Sequence, residues 1–205
     1  MAAPFDAIVL AGGTGQRMGD PRGTDKARLD VGGVTLLDRV LAAVGDAQHC
    51  VVVGPRRPTA WPVTFTVEKP AAAGPAAAIV HGLSMVRAPV VVVLATDLPF
   101  AFSAVPKLID ALAGAQVDAA MLVDDSGRRQ PLLAAYRAEA LRRYADGRDW
   151  RGASVRALTA GLTVVEVAAV GDEALDCDTP EQLTAARQTA TITAAREAAS
   201  SPPTG

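Results

Sequence analysis

Two isolated cations, Arg17 and Lys26, stand among glycines and small residues in the stretch VLAGGTGQRMGDPRGTDKARL, residues 9–29. Arginine offers phosphate oxygens a planar fork and lysine a mobile point charge. The glycines let the backbone turn and bring its N–H groups close to an anion. The chemistry this pattern suits is the wrapping of nucleotide phosphates; a surface loop with solvated cations is the other reading. Two well-known phosphate loops are excluded. A P-loop needs Gly-Lys followed by Ser or Thr, and neither occurs. Gly13, Gly15 and Gly19 are spaced GxGxxxG, one residue too long for the dinucleotide fingerprint, and the loop continues through Thr24 before any helical pattern. Lys26 is expected to be exposed in this loop.

Carboxylates form the second group. Asp97 follows the apolar run in APVVVVLATDLPF. An acid at the carboxyl end of a central strand faces the ligand crevice and suits a divalent cation, although TDLP also makes a turn. Asp176 and Asp178 flank Cys177 in LDCDTPEQL. In an extended stretch residues two apart point the same way, so both acids can face one metal with Cys177 turned into the core. Alternatively Asp178 or Thr179 caps a helix starting at Pro180; the two roles are compatible. His49 and His81 stand singly and read as packing or surface residues. Cys50 and Cys177 have no CxxC spacing and no histidine pair nearby, and read as small core residues of a reducing compartment.

The elements that must position these groups alternate. Strands are expected at residues 6–10, 50–53, 63–68, 88–95, 117–123, 132–136 and 162–167, the run at 88–95 being apolar throughout and so buried on both faces. Helices are expected at 35–44 with Thr35 as N-cap, at 75–86 with proline in the first turn, from Ser103 as cap to about 113, at 138–144, at 153–158 and from 180. DDSGRRQP reads as a turn. This alternation gives an α/β sandwich with a mostly parallel sheet.

The chain of 205 residues suits one domain, residues 1–188, followed by an alanine-rich tail, 189–205, expected to be flexible. A net charge of −2 gives no reason to expect nucleic acid or an anionic membrane as partner. No apolar run is long enough for a membrane span, and the start lacks the basic segment of a signal peptide, so a cytoplasmic protein is expected.

LAGGTGQRMGDPRGTDKARL resembles the LAGGxSxRMGxDKxLL motif of the MobA-like nucleotidyltransferases, the molybdenum cofactor guanylyltransferase family. The resemblance runs from Ala7 to about Leu183. It implies a three-layer αβα, Rossmann-like nucleotide-diphospho-sugar transferase fold. It implies that Leu10, Ala11, Gly12 and Gly13 line the nucleotide, that Arg17 and Lys26 meet its phosphates, and that Asp97, in a DxP motif, holds Mg²⁺, with Asp178 as second ligand. VEKPAAAGPAAAI is similar to the family's DxxPGxGPLAGI, which places Glu68 and Gly74 at the base, while Gly54 stands where a base or ribose contact is expected. GRRQPLLAAYR is similar to GRxHPLxALY, with Gln130 in place of histidine. It implies an acceptor pocket where Arg128 and Arg129 meet a pterin phosphate, surface arginines of a turn being the other reading. The implied activity is transfer of GMP from GTP to molybdopterin, with pyrophosphate released and other cofactor-biosynthesis proteins as possible contacts. The chain departs from the pattern by an insertion of about three residues before Lys26, by Gly15 for a small hydroxyl residue, and by Asp176 and Asp178 where asparagines are usual. The aspartate version is similar to cytidylyl- and sugar-nucleotide transferases of the same fold, which stand as the alternative. So does a nucleotide-binding module without chemistry.

Overall fold

The computed structural model describes residues 3–13 and 25–200. Its strands are β1 (Phe5–Leu10), β2 (Asp30–Val31), β3 (Val34–Thr35), β4 (Cys50–Val53), β5 (Thr64–Thr66), β6 (Val90–Ala95), β7 (Ala119–Val123), β8 (Arg129–Arg137) and β9 (Val164–Ala168). Its helices are α1 (Leu36–Ala43), α2 (Pro75–Leu83), α3 (Ala104–Gly114), α4 (Ala138–Ala145), α5 (Val155–Thr159) and α6 (Pro180–Ser200).

The continuous apolar runs form the centre of the sheet. In the order β5-β4-β1-β6-β8-β7-β9, Ile8 pairs in parallel with Val51 on one side and Val93 on the other. Both faces are covered, which is why β4 and β6 carry apolar residues at every position. Within this sheet, among the described residues, β8 alone is antiparallel to its neighbours. Successive side chains serve opposite layers. Ala7, Val9, Val52, Val92 and Leu94 pack under α1 and α3. Ile8, Val51, Val53, Val91 and Val93 pack under α2, α4 and α5. The result is a three-layer, Rossmann-like αβα fold with a mostly parallel sheet.

A smaller third cluster holds α6. Leu183, Ala186 and Ala190 bury against Val31, Leu36 and Cys177, and Arg187 donates to the Asp30 carbonyl. Among the described residues no helix is long and apolar enough to cross a membrane.

Three local outcomes differ from the sequence reading. The hairpin β2–β3 turns on Gly32 and Gly33, both at positive φ; a Gly-Gly pair between short extended runs is its signal. The expected turn at 124–131 gives way to strand at Arg129, because pairing with β7 extends to Val123↔Arg129. Ser103 does not cap α3. Its hydroxyl donates instead to the buried Glu173 carboxylate at 2.5 Å, which also accepts from Lys107.

Candidate active site

Strands β1, β4 and β6 are parallel, so their carboxyl ends meet at one edge of the sheet, where crevices form in such folds. A cleft of about 500 Å³ opens there. Leu10, Ala11, Gly12 and Gly13 line it from the end of β1, Glu68 and Gly74 from the segment before α2, Lys26 from a short 3-10 turn, and Asp97 and Asp178 from two separate loops. Gly54 lies behind the cleft wall. A Cβ there would stand 2.6 Å from the Ala11 carbonyl carbon and oxygen, so glycine lets the end of β4 close on the end of β1. Glu68 accepts from the Ala73 N–H at 3.2 Å, bracing the backbone that leads into Gly74, the N-cap of α2 at φ 98°. Arg17 lies outside the described residues.

The charged centre is assembled by one backbone hydrogen bond. The Cys177 N–H donates to the Asp97 carbonyl at 2.9 Å, fastening a late segment to the tip of β6. The Cys177 side chain points into the third cluster and is wholly buried. Asp178 turns toward the cleft, away from the Cys177 side chain, whereas Asp176, expected beside it, is not part of the cleft lining and accepts from Gln182. The Lys26 ammonium is bonded to the Asp178 carboxylate and lies 3.9 Å from that of Asp97. The Lys26 side chain is only 12 % exposed. This corrects the expectation of an exposed lysine: two carboxylates draw the ammonium inward.

Burial raises the pKa of Asp97 above the usual aspartate value; Lys26 opposes that shift and Asp178 adds to it. Burial also raises Asp176, with Asp178 beside it contributing. The Cys177 thiol is pushed up to about 11, by burial first and by Asp97 next, so it is an unreactive core group.

Thr179, not Asp178, caps α6. The Thr179 hydroxyl accepts from the Gln182 N–H at 3.3 Å, and the Gln182 side-chain carbonyl accepts from the N–H groups of Thr179 and Asp178 at 2.9 Å each. This is a Thr-x-x-Gln capping box, with Thr179 the cap of the two candidates. Gln182 also donates to Asp176 at 2.5 Å. Capping thus falls to Thr179 and Gln182, and the Asp178 carboxylate goes to Lys26.

Other expected residues lie elsewhere. Arg129 pairs with Glu166 at 2.7 Å, and Arg128 with Asp124 at 3.5 Å, both arginines being exposed. Gln130 donates to Asp124. His81 shares a hydrogen bond with Thr66 at 2.7 Å, and His49 a longer one with Thr64. Sequence reasoning missed Ala72 and Thr96 in the cleft wall, which Leu132 of β8 also lines. It also missed Arg57, a buried arginine bonded to Asp25 beside Lys26.

Among the described residues no group of three or more His, Cys, Asp or Glu side chains is placed to hold a metal ion. Asp97 and Asp178 are two hard oxygen donors already gathered about one cation, the Lys26 ammonium. That suits Mg²⁺, which commonly takes one or two carboxylates and completes its shell with water and substrate phosphates.

Comparison with known proteins agrees with this layout. The family of the MobA-like NTP transferase domain matches residues 7–167. A molybdenum cofactor guanylyltransferase of Acidiphilium cryptum is 30% identical over 191 residues, covering 88% of this chain and 92% of that protein. A probable molybdenum cofactor guanylyltransferase of Chloroflexus aggregans is 32% identical over 147 residues, 67% of each chain. In fold, the chain is similar to the crystal structure of molybdopterin-guanine dinucleotide biosynthesis protein A from Archaeoglobus fulgidus, with a TM-score of 0.72, 22% identity, and coverage of 91% of this chain and 99% of that one. With the family match spanning most of the chain and the sheet order carrying the cleft where parallel strands end, the chain belongs to the MobA-like NTP transferase family and is a nucleotidyltransferase.

Proposed function

We propose that the protein transfers GMP from GTP to the terminal phosphate of molybdopterin or its molybdenum-bearing form, with Mg²⁺. The observation that carries this reading is the convergence of Asp97, Asp178 and Lys26 at the mouth of a glycine-walled cleft. The names of the Acidiphilium and Chloroflexus relatives supply the choice of base and acceptor.

Asp97 and Asp178 would hold the magnesium ion, which when bound supplies charge neutralisation at phosphate oxygens. Lys26, released from the carboxylates, would pass its charge to the triphosphate. Gly12 and Gly13 line the same side of the cleft, where glycine backbone can approach an anion closely, while the Ala11 N–H is held by the Val53 carbonyl at 2.8 Å. An acceptor phosphate is anionic already, so its oxygen needs no general base to attack the α-phosphorus. One O–P bond forms, the bond from the α-phosphorus to the bridging oxygen breaks, and pyrophosphate leaves with the electron pair. The protein contributes alignment and charge compensation.

The test is incubation of the purified chain with each nucleoside triphosphate, Mg²⁺ and molybdopterin, reading pyrophosphate and the dinucleotide product. Turnover with GTP alone is the expected result. Asp176-x-Asp178 favours a second reading, cytidylyl transfer, and turnover of CTP with GTP inert would install it. Tight GTP binding with no pyrophosphate from any acceptor would leave a binding module.

A further inference from the structure

Lys26 comes directly after Asp25 in the sequence. Asp25 flanks a short 3-10 turn, Lys26–Arg28, and its side chain makes no capping hydrogen bond to that turn. Its carboxylate instead receives Arg57, whose Nε donates to both carboxylate oxygens at 3.0 and 2.7 Å. Arg57 is 9% exposed, and its Nη1 donates to the Pro55 carbonyl at 3.0 Å. A guanidinium taken that far from water needs partners in fixed geometry, and these two come from different loops. Pro55 follows Gly54, the residue that brings β4 against Ala11 in the cleft wall. Beyond the turn, Leu29 is held by the Leu36 N–H at 2.9 Å. The backbone of Lys26 is therefore pinned on both sides, and on the amino side the pin is Arg57.

We propose that Arg57 is a positioning residue that sets the Lys26 ammonium at the cleft mouth, acting through Asp25 from the loop after β4. Neighbouring Arg56 is exposed and has no such role. A lysine at position 57 would keep the charge and lose the fork.

The inference rests on the nucleotidyl-transfer reading only for its kinetic arm, and a second arm stands apart from it. The chain has three lysines, Lys26, Lys69 and Lys107, so amine acylation followed by mass spectrometry reads each one. In Arg57→Ala and Asp25→Asn, Lys26 should label several-fold faster than in the wild type while Lys69 and Lys107 keep their rates. An unchanged Lys26 rate, or a parallel rise at all three lysines, overturns the proposal. In the kinetic arm, Arg57→Ala and Arg57→Lys should lower kcat by about tenfold to hundredfold. In a Lys26→Met background the same change at Arg57 should cost less than about twofold further, because the path runs through Lys26. Equal losses in both backgrounds would show that Arg57 acts independently and sink the idea. If the wild type turns over no nucleotide, the proposed function fails, and the labelling arm still decides the role of Arg57.

Discussion

Asp97 is placed against its own stability. Its pKa is raised, burial being the first cause, so the folded chain holds that proton more tightly than the unfolded chain does. The resulting cost is absent below the usual aspartate value of 3.8 and grows as pH rises through the elevated one. Asp97→Asn, which mimics the protonated form, should therefore melt higher than the wild type at pH 7, with the gain vanishing toward pH 4. Each ~1 kcal/mol moves the midpoint of a chain this long by about 2–4 °C, within reach of scanning fluorimetry. Turnover of the same variant should fall by on the order of 10²-fold or more. A lower midpoint at pH 7 would show that the pair with Lys26 outweighs burial. Asp97 is legible in the sequence because a lone acid ending a β-branched run has few places to go. The inward turn of Lys26 is not legible, since Asp178 lies 152 residues away. Arg57 is still less so: Arg56 beside it looks equivalent, and only the position of Asp25, 32 residues distant, selects one of the two.

At the scale of elements, the strands and helices are read well where periodicity is strong and poorly where a few residues decide. β6 declares itself through Val90–Ala95, and α1 through Thr35, whose hydroxyl accepts from the Asp38 N–H as expected of an N-cap. The hairpin β2–β3 is too short to show a period. Ser103 is a plausible cap by type that tertiary contact diverts to Glu173. Two element-level predictions follow from geometry. Thr179→Ala removes the cap of α6 and should cost about 1 kcal/mol, whereas Thr179→Ser should keep it, as thermal midpoints would record. Gly54→Ala forces a methyl into the Ala11 carbonyl at the junction of β1 and β4. It should lower the midpoint and weaken nucleotide affinity by at least about tenfold, measured by calorimetric titration. Unchanged affinity would mean that the junction does not shape the cleft.

For the molecule as a whole, two large cores lie on the faces of the sheet and a separate, much smaller one lies under α6. Local opening is expected first where few apolar contacts hold a segment. Amide exchange at Leu183–Ala190 should therefore be faster than in β1 and β6, and it should slow when GTP and Mg²⁺ are added, because Asp178 leads into this helix. Exchange there that ignores the ligand would separate α6 from the centre. The matched family region ends at residue 167, before Asp178, and the sheet ends at Ala168. The bond from Cys177 to Asp97 thus joins a segment that follows the sheet in chain order. During synthesis, a chain emerging from the ribosome can complete its whole sheet and still lack one side of its charged centre. The charged centre would then become complete only once Asp178 has emerged, well after the strands that frame it.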